Sequence, residues 1–318
     1  MRTRIILSSF LLVLVSFLLY KTINFNEVSK LLYFYNKYWF LLFFSLASVI
    51  ILLKTLRFRI ILNGSNIQIS FLQTLKVFSA GQVTSSLPGG EIMRGVLLKK
   101  ENDIPISKSS GPIITQAYLD FLSSLVIVLI GSLFLRQFII PSLITTFIFV
   151  FLIIVFTHPP LFAFIWSIFP EKRFVKLAKV KTSLIQKSMR RSVFLPNSNK
   201  INPAFTTSFV IALLTQIIGG ILLFFISYSF GILIFNPVHM FVFSASSVIQ
   251  AMTAFAPGGL GFTEGGMTGL LVLLDIPLAK AIAMVVVYRI STFLFPIAIG
   301  TIILLFYYSK ILLHHEKK

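Results

Sequence analysis

The chain has 318 residues, of which 57% are apolar and only 12% are charged, and its mean hydropathy is +0.95. A soluble domain carries about twice this density of charge, so the composition excludes a soluble globular fold and indicates a membrane protein. The net charge of +19 comes from Lys and Arg grouped beside apolar runs, which is typical of topology signals and anionic-lipid contact rather than of nucleic-acid binding. The absence of Cys excludes disulfides, thiolate metal sites and a Cys nucleophile.

Six apolar runs predict membrane-spanning helices, at about 20 residues for each crossing. The first follows a basic start, as a secretory signal does, but it has no small-residue cleavage site, so we expect a retained helix. The last contains Pro296, a candidate helix break. The predicted spans are residues 5–20, 38–53, 111–135, 138–157, 204–227 and 278–308.

Two further stretches, residues 67–98 and 237–274, are interrupted by Pro-Gly-Gly at Pro88 and Pro257. Each stretch is either a single crossing with a loop or a hairpin that enters and leaves by the same face. Hairpins place twenty Lys and Arg in the cytoplasm and five outside, as the positive-inside rule requires. We therefore predict an all-α integral membrane protein of the plasma membrane, with about six transmembrane helices, two re-entrant helical hairpins and both termini cytoplasmic.

The same arrangement divides the single membrane domain, residues 1–318, into two halves, residues 1–137 and 138–318. Each half has two spans, a hairpin and a further span, in opposite orientations, and "VFSA" precedes Pro-Gly-Gly in both. This predicts an inverted-topology repeat whose tips meet near the midplane, as in many transporters. The alternative is that both motifs are exposed interfacial loops. The basic segment 171–202 suits either an interfacial amphipathic helix on anionic lipid or a topology signal alone.

Charged residues in or beside the predicted membrane segments indicate a candidate site. Each would cost about 2.5–3.5 kcal/mol at a lipid-facing helix centre, so they must face protein or water. Arg94 precedes Asp120 by 26 residues, and Glu264 precedes Arg289 by 25, with the signs reversed. We expect a compensated cluster in which Arg289 faces Glu264 or Glu91, and Arg94 faces Asp120 or Glu264.

The Pro-Gly-Gly motifs predict helix ends within the membrane, because Pro cannot donate to a helix and Gly reaches positive φ cheaply. Non-helical backbone is tolerated at membrane depth only against protein or in a wet cavity, and a half-helix that starts there directs its positive end at an anion. We therefore predict a polar cavity for a phosphate-bearing headgroup. Its candidate residues are Ser85, Ser86, Pro88, Gly89, Gly90, Glu91, Arg94, Asp120, Pro257, Gly258, Gly259, Thr263, Glu264 and Arg289.

Two sequence blocks resemble the transmembrane region of the lysylphosphatidylglycerol synthases, also called the flippase-like integral membrane family. They are "LPGGEIMRG" with Tyr118 and Asp120 downstream, and "APGGLGFTEGG" followed by "VYRI" at residues 287–290. The resemblance covers nearly the whole chain, implies a lipid-translocating membrane domain and adds Tyr288 to the substrate-binding residues. We expect a stand-alone member without the soluble aminoacyltransferase domain. The implied cargo is an anionic or aminoacylated phospholipid or a polyprenyl-linked glycolipid.

Three function classes remain open. The first is flippase-like or scramblase-like lipid transport, with membrane lipids as partners and with no cofactor, metal or nucleic acid. The second is an intramembrane transferase or hydrolase with Glu91, Asp120 or Glu264 as general base, although neither a metal constellation nor a Ser–His pair is apparent from the sequence. The third is a non-transporting membrane partner of a glycosyltransferase or lipid-modifying enzyme.

Overall fold

The computed structural model describes residues 25–33, 35–84, 90–157, 202–233, 236–252 and 261–315, and these ranges contain helices and no β-strand. The predicted span 5–20, the basic segment up to residue 201 and most of both Pro-Gly-Gly tips lie outside the described residues. The helices are α1 Phe25–Tyr33, α2 Trp39–Gly64, α3 Phe71–Thr84, α4 Ile92–Asn102, α5 Ile106–Phe134, α6 Ile139–Thr157, α7 Pro203–Ser229, α8 Asn236–Met252, α9 Phe262–Val272, α10 Leu278–Arg289 and α11 Phe295–His315.

Four helical stretches are long and apolar enough to cross a membrane: α2, α5, α7 and the run Leu278–Phe306 through α10 and α11. They coincide with four of the six predicted spans, which confirms an all-helical membrane protein. The 19-residue helix α6 begins within one residue of a fifth predicted span. The total of six crossings and the re-entrant course of the hairpins stay predictions.

The described part of each interrupted stretch contains two short helices, α3 with α4 and α8 with α9. Their 14, 11, 17 and 11 residues correspond to about 21, 17, 26 and 17 Å, less than the ~30 Å of a bilayer core. The Thr84 hydroxyl at the end of α3 donates to the Gly90 carbonyl at 2.9 Å. This bond holds the two ends of the first interruption together.

Helix packing follows the same pattern in both halves when α2, α3, α4 and α5 are matched with α7, α8, α9 and the α10–α11 run. Helix α2 packs on α3 as α7 packs on α8, and α4 packs on α5 as α9 packs on α10. Between the halves, α5 packs on α8 as α11 packs on α3, while α2 packs directly on α7. Exchanging the two series of helices therefore leaves the packing pattern unchanged.

Two glycines occupy the matching contacts between the halves. Gly131 of α5 and Gly300 of α11 are 169 residues apart, the same interval that separates Pro88 from Pro257. A Cβ at Gly131 would lie 2.8 Å from Phe241 Cβ in α8, and one at Gly300 would overlap the backbone carbonyl of Ser79 in α3. Close helix approach at small residues is a common way to pack membrane helices.

One apolar cluster joins the two halves. It includes Phe43 of α2, Leu125 of α5, Leu222 of α7, Val242 of α8 and Met284 of α10, all of them buried. Asp120, Glu264 and Arg289 therefore lie on helices that share this core, whereas the α4 helix of Arg94 packs in a second apolar cluster with α2, α3 and α5.

The last span departs from regular helix before Pro296, where a π-helical turn, Ile290–Leu294, separates α10 from α11. Because Pro296 has no N–H, the carbonyl of Thr292 loses its usual helical partner and is crowded by the Pro ring. A π-turn relieves this crowding without interrupting the helix. The predicted break is thus a widened turn directly after Arg289.

Candidate functional site

An arginine–aspartate pair joins α2 to α5 within two of the candidate spans. Arg57 Nη1 and Nη2 donate to the carboxylate oxygens of Asp120 at 2.8 and 2.7 Å, a bidentate geometry. The Arg57 side chain is 0% exposed and that of Asp120 is 32% exposed, and Lys54 Nζ lies 3.9 Å from Asp120 Oδ1. Gln216 Nε2 in α7 donates to the Asp120 carbonyl at 3.4 Å. Three long helices therefore meet at this pair.

A second pair, Glu264 and Arg289, joins α9 to α10. Arg289 Nε lies 2.6 Å from Glu264 Oε1. Glu264 Oε2 accepts the backbone N–H of Gly261 at 2.7 Å, so this carboxylate also caps the start of α9, where negative charge is favourable. Gly261 has φ +85°, which Gly adopts without strain. One carboxylate thus holds both a helix end and a cation.

Arg289 has hydrogen-bond donors beyond the one that pairs with Glu264. Its guanidinium carbon lies 5.3 Å from the centroid of the Phe293 ring, in the π-turn. Its Nη2 atom is buried and has no hydrogen-bond partner among the described residues. The pair with Glu264 therefore leaves at least one buried donor unsatisfied.

Arg94 in α4 is a buried cation with weaker pairing. It is 3% exposed, and its Nη1 lies 3.9 Å from Glu91 Oε1, beyond hydrogen-bond distance. Its guanidinium carbon lies 4.4 Å from the centroid of the Phe78 ring in α3, and Gly81 makes room for its side chain. Nε is buried without a hydrogen-bond partner in the described part of the chain. This guanidinium retains donors for an anion.

One of the expected ion pairs is present, that of Arg289 with Glu264. Arg94 instead pairs with Glu91 in the preceding turn and not with Asp120 or Glu264. The physical reason is that both oxygens of Asp120 are already bound by Arg57. The first half therefore carries two separate charge pairs, Arg57 with Asp120, beside which Lys54 lies, and Arg94 with Glu91.

Arg57 is the site residue that the sequence analysis missed. The predicted span 38–53 ends before Lys54, Arg57 and Arg59, so the positive-inside rule places these three residues in a cytoplasmic loop. The loop is wrong, because α2 continues to Gly64 and buries Arg57, while the side of the membrane on which this end of α2 lies stays a prediction. Arg57 lies 18 residues after Trp39, or about 27 Å along a helix, still within the length of a ~30 Å bilayer core. Counting from the aromatic start of the helix could have identified it.

The remaining candidate residues divide into described and undescribed ones. Thr263 and Tyr288 are buried, and the Tyr288 ring packs edge-on to Phe243 with centroids 6.0 Å apart. Gly90 accepts the hydrogen bond from Thr84. The polar cavity itself stays a prediction, because its other tip residues lie outside the described residues: Ser85, Ser86, Pro88, Gly89, Pro257, Gly258 and Gly259.

A Ser–His pair is present, contrary to the expectation from the sequence. His239 Nε2 and Ser227 Oγ lie 2.8 Å apart, brought together because α7 and α8 pack on each other. The two residues are 1% and 0% exposed, so the pair has no access for a substrate in this structure. The described residues hold no group of three His, Asp or Glu side chains that could bind a metal.

Comparison with known proteins adds one match. A family model described as the Lysylphosphatidylglycerol synthase TM region matches residues 5–300. No curated protein and no solved structure matches the chain.

Proposed function

The chain belongs to the family of the lysylphosphatidylglycerol synthase TM region, and on this premise we propose that it translocates a phosphate-bearing lipid between the leaflets of the membrane. Membership implies a membrane domain related to lipid handling. The proposed cargo is an anionic or aminoacylated phospholipid, or a polyprenyl-linked glycolipid, whose headgroup passes through a polar route at the two Pro-Gly-Gly tips. The proposed location is the plasma membrane, with both termini in the cytoplasm.

The observation that carries the proposal is the incomplete pairing of Arg94. A buried guanidinium without matched acceptors is costly, and a charged side chain inside a membrane marks a substrate or ion pathway by default. Glu91, at 3.9 Å, neutralises the charge but does not satisfy the donors. A phosphate oxygen placed beside Arg94 would supply charge-assisted hydrogen bonds, so an anionic headgroup fits this position.

Arg289 supplies the corresponding cation in the second half. It also keeps an unsatisfied buried donor, Nη2, and it lies 169 residues after Asp120, the interval that relates the two Pro-Gly-Gly motifs. The matching helix packing of the two halves supports a structural repeat. If that repeat is inverted, the two tips approach the midplane from opposite faces, an arrangement that gives two-sided access in transporters.

Reconstituted protein provides the direct test. In liposomes that contain a headgroup-labelled anionic phospholipid, the wild-type chain should bring outer-leaflet label to the inner leaflet, as measured by the fraction protected from a membrane-impermeant quencher. Arg94→Gln and Arg289→Gln should each slow this step by about tenfold or more, because each removes a charge-assisted contact worth about 1.5–3 kcal/mol. Arg136→Gln, which changes an exposed arginine, is the matched control and should leave the rate of lipid transfer unchanged.

The results also separate the alternatives. Wild-type rates in both folded variants would remove the proposed headgroup site. Chemical conversion of the labelled lipid without transfer would favour an intramembrane enzyme, and no effect on any lipid tested would favour a non-transporting partner of another enzyme.

The opposed-tip geometry has its own test. Because the chain has no Cys, single Cys residues at position 86 and at the exposed position 265 of α9 can be labelled with an impermeant thiol reagent from either side of the membrane. Opposed hairpins predict that the two positions label from opposite faces and that the anionic lipid protects both. Labelling of both from the same face would contradict the inverted arrangement.

A further inference from the structure

A polar pocket lies where the end of α2 meets the start of α3, apart from the intramembrane charges. Its volume is about 470 Å³, and its lining is Arg59, Asn63, Gln68, Ile69, Ser70 and Gln73. This volume is within the range of small-molecule sites. The pocket follows the last turns of a candidate span, so it lies at the level where a membrane helix reaches the lipid headgroups.

Arg59 is the cation of this pocket. Its Nε donates to the Ile69 carbonyl at 3.3 Å, which anchors the guanidinium, while Nη1 and Nη2 make no hydrogen bond or ion pair within the described residues. Arg57 and Arg59 are two positions apart and therefore project about 200° apart around α2. Arg57 is paired with Asp120, whereas Arg59 lines the pocket.

Neutral donors surround Arg59. Gln73 Oε1 accepts from the Ser70 amide and hydroxyl at 3.2 and 3.1 Å, which leaves the Gln73 amide nitrogen as a donor. Asn63 and Gln68 are exposed at the mouth of the pocket. One fixed guanidinium with several amide donors is the chemistry that recognises a phosphate.

The surroundings favour a lipid over a free ion. Leu72, which lies between Ser70 and Gln73 in the chain, is 68% exposed, which gives an apolar surface beside the polar lining. Lys76 lies one turn beyond Gln73 and is exposed, and it adds positive charge partly offset by Glu101.

We propose that this pocket binds the phosphate-bearing headgroup of an anionic phospholipid at the membrane surface, with the lipid tails against the exposed side of α3. The site does not depend on lipid translocation. It would hold a lipid whether or not the intramembrane arginines conduct one.

Native mass spectrometry of the full chain in detergent, titrated with dioctanoyl phosphatidylglycerol, tests the proposal. Arg59→Gln should weaken one lipid-binding event about tenfold, equivalent to about 1.4 kcal/mol, and Gln68→Ala should weaken the same event by a smaller factor. Arg136→Gln, an exposed arginine at the far end of α5, should bind as wild type does. Arg94→Gln should also leave this event unchanged, which separates it from the proposed translocation site.

Three results would overturn the proposal. One is unchanged phosphatidylglycerol binding in both Arg59→Gln and Gln68→Ala. Another is equal affinity for dioctanoyl phosphatidylcholine, whose choline group cancels the phosphate charge. The third is Arg59-dependent binding of inorganic phosphate without binding of the lipid, which would make the pocket a free-anion site.

Discussion

Asp120→Asn should destabilise the protein more than any other single neutralisation in the first half. The substitution leaves the fully buried Arg57 without its counter-charge, and breaking a buried pair by removing one partner costs about 3–5 kcal/mol. Because the Asp120 side chain is 32% exposed and Asn keeps one oxygen acceptor, we expect the lower end, about 3 kcal/mol. Equilibrium unfolding in mixed detergent–SDS micelles measures this free energy.

Removing Arg57 instead of Asp120 should lower the free energy of unfolding by a smaller amount. Arg57→Met removes the buried charge itself and leaves Asp120 with Lys54 at 3.9 Å and with partial exposure, so we expect about 1–2 kcal/mol. The double variant Arg57→Met/Asp120→Asn buries no charge and should be more stable than Asp120→Asn alone. We expect this order of stabilities because the Arg57 side chain is fully buried, whereas that of Asp120 is 32% exposed.

Asp275→Asn is the matched control for this test, because it also neutralises an aspartate. Asp275 is an exposed aspartate with φ +63°, a conformation that Asn tolerates, so Asp275→Asn should change the free energy of unfolding by less than about 0.5 kcal/mol. If the double variant is as unstable as the sum of the two single variants, Arg57 and Asp120 are not energetically coupled, and the interpretation of this pair is wrong.

Two further predictions concern packing and ionisation. Gly300→Ala should lower the free energy of unfolding by about 1–3 kcal/mol, because its Cβ would overlap the Ser79 carbonyl, whereas Gly265→Ala meets nothing within 4 Å and should be harmless in the same measurement. Burial raises the pKa of Tyr35 from 10.0 to about 12 against the opposing effect of its Ser229 hydrogen bond. The unfolded chain therefore releases this proton first, so stability should fall as pH rises from 10 to 12. Tyr35→Phe should remove that part of the slope, and an unchanged slope would contradict the assignment.

Apolar run length was a reliable guide to the long helices. The predicted spans 38–53, 111–135, 204–227 and 278–308 all fall on observed helices, because about 20 apolar residues in a membrane can satisfy their backbone only as a helix. The Glu264–Arg289 pair was also predictable. Few charged residues lie in or beside the predicted membrane segments, and buried charge must be paired. Each charged residue therefore had few possible partners.

Two features escaped the sequence because they depend on tertiary context. Arg57 was hidden by its neighbours Lys54 and Arg59, since a basic group at the end of an apolar run usually indicates a cytoplasmic loop. Only the packing of α2 against α5 shows which of the three cations is buried. Likewise, Pro296 indicates an irregular helix but not its form, and a π-turn preserves the span that a break would end.

The two halves carry opposite charges at the matching positions Asp120 and Arg289. The ion pairs that these residues form constrain different sets of helices. Asp120 is held from two directions, by the bidentate Arg57 and by Gln216 of α7, so the first half fixes three long helices together. Glu264 is held by Arg289 and at the same time caps α9, an 11-residue helix at a chain interruption. A ligand anion that competes for Arg289 would weaken that pair and thereby release a constraint on α9. We therefore expect movement during the proposed lipid transfer to be concentrated in α9 and the π-turn after α10, while α2, α5 and α7 stay in place.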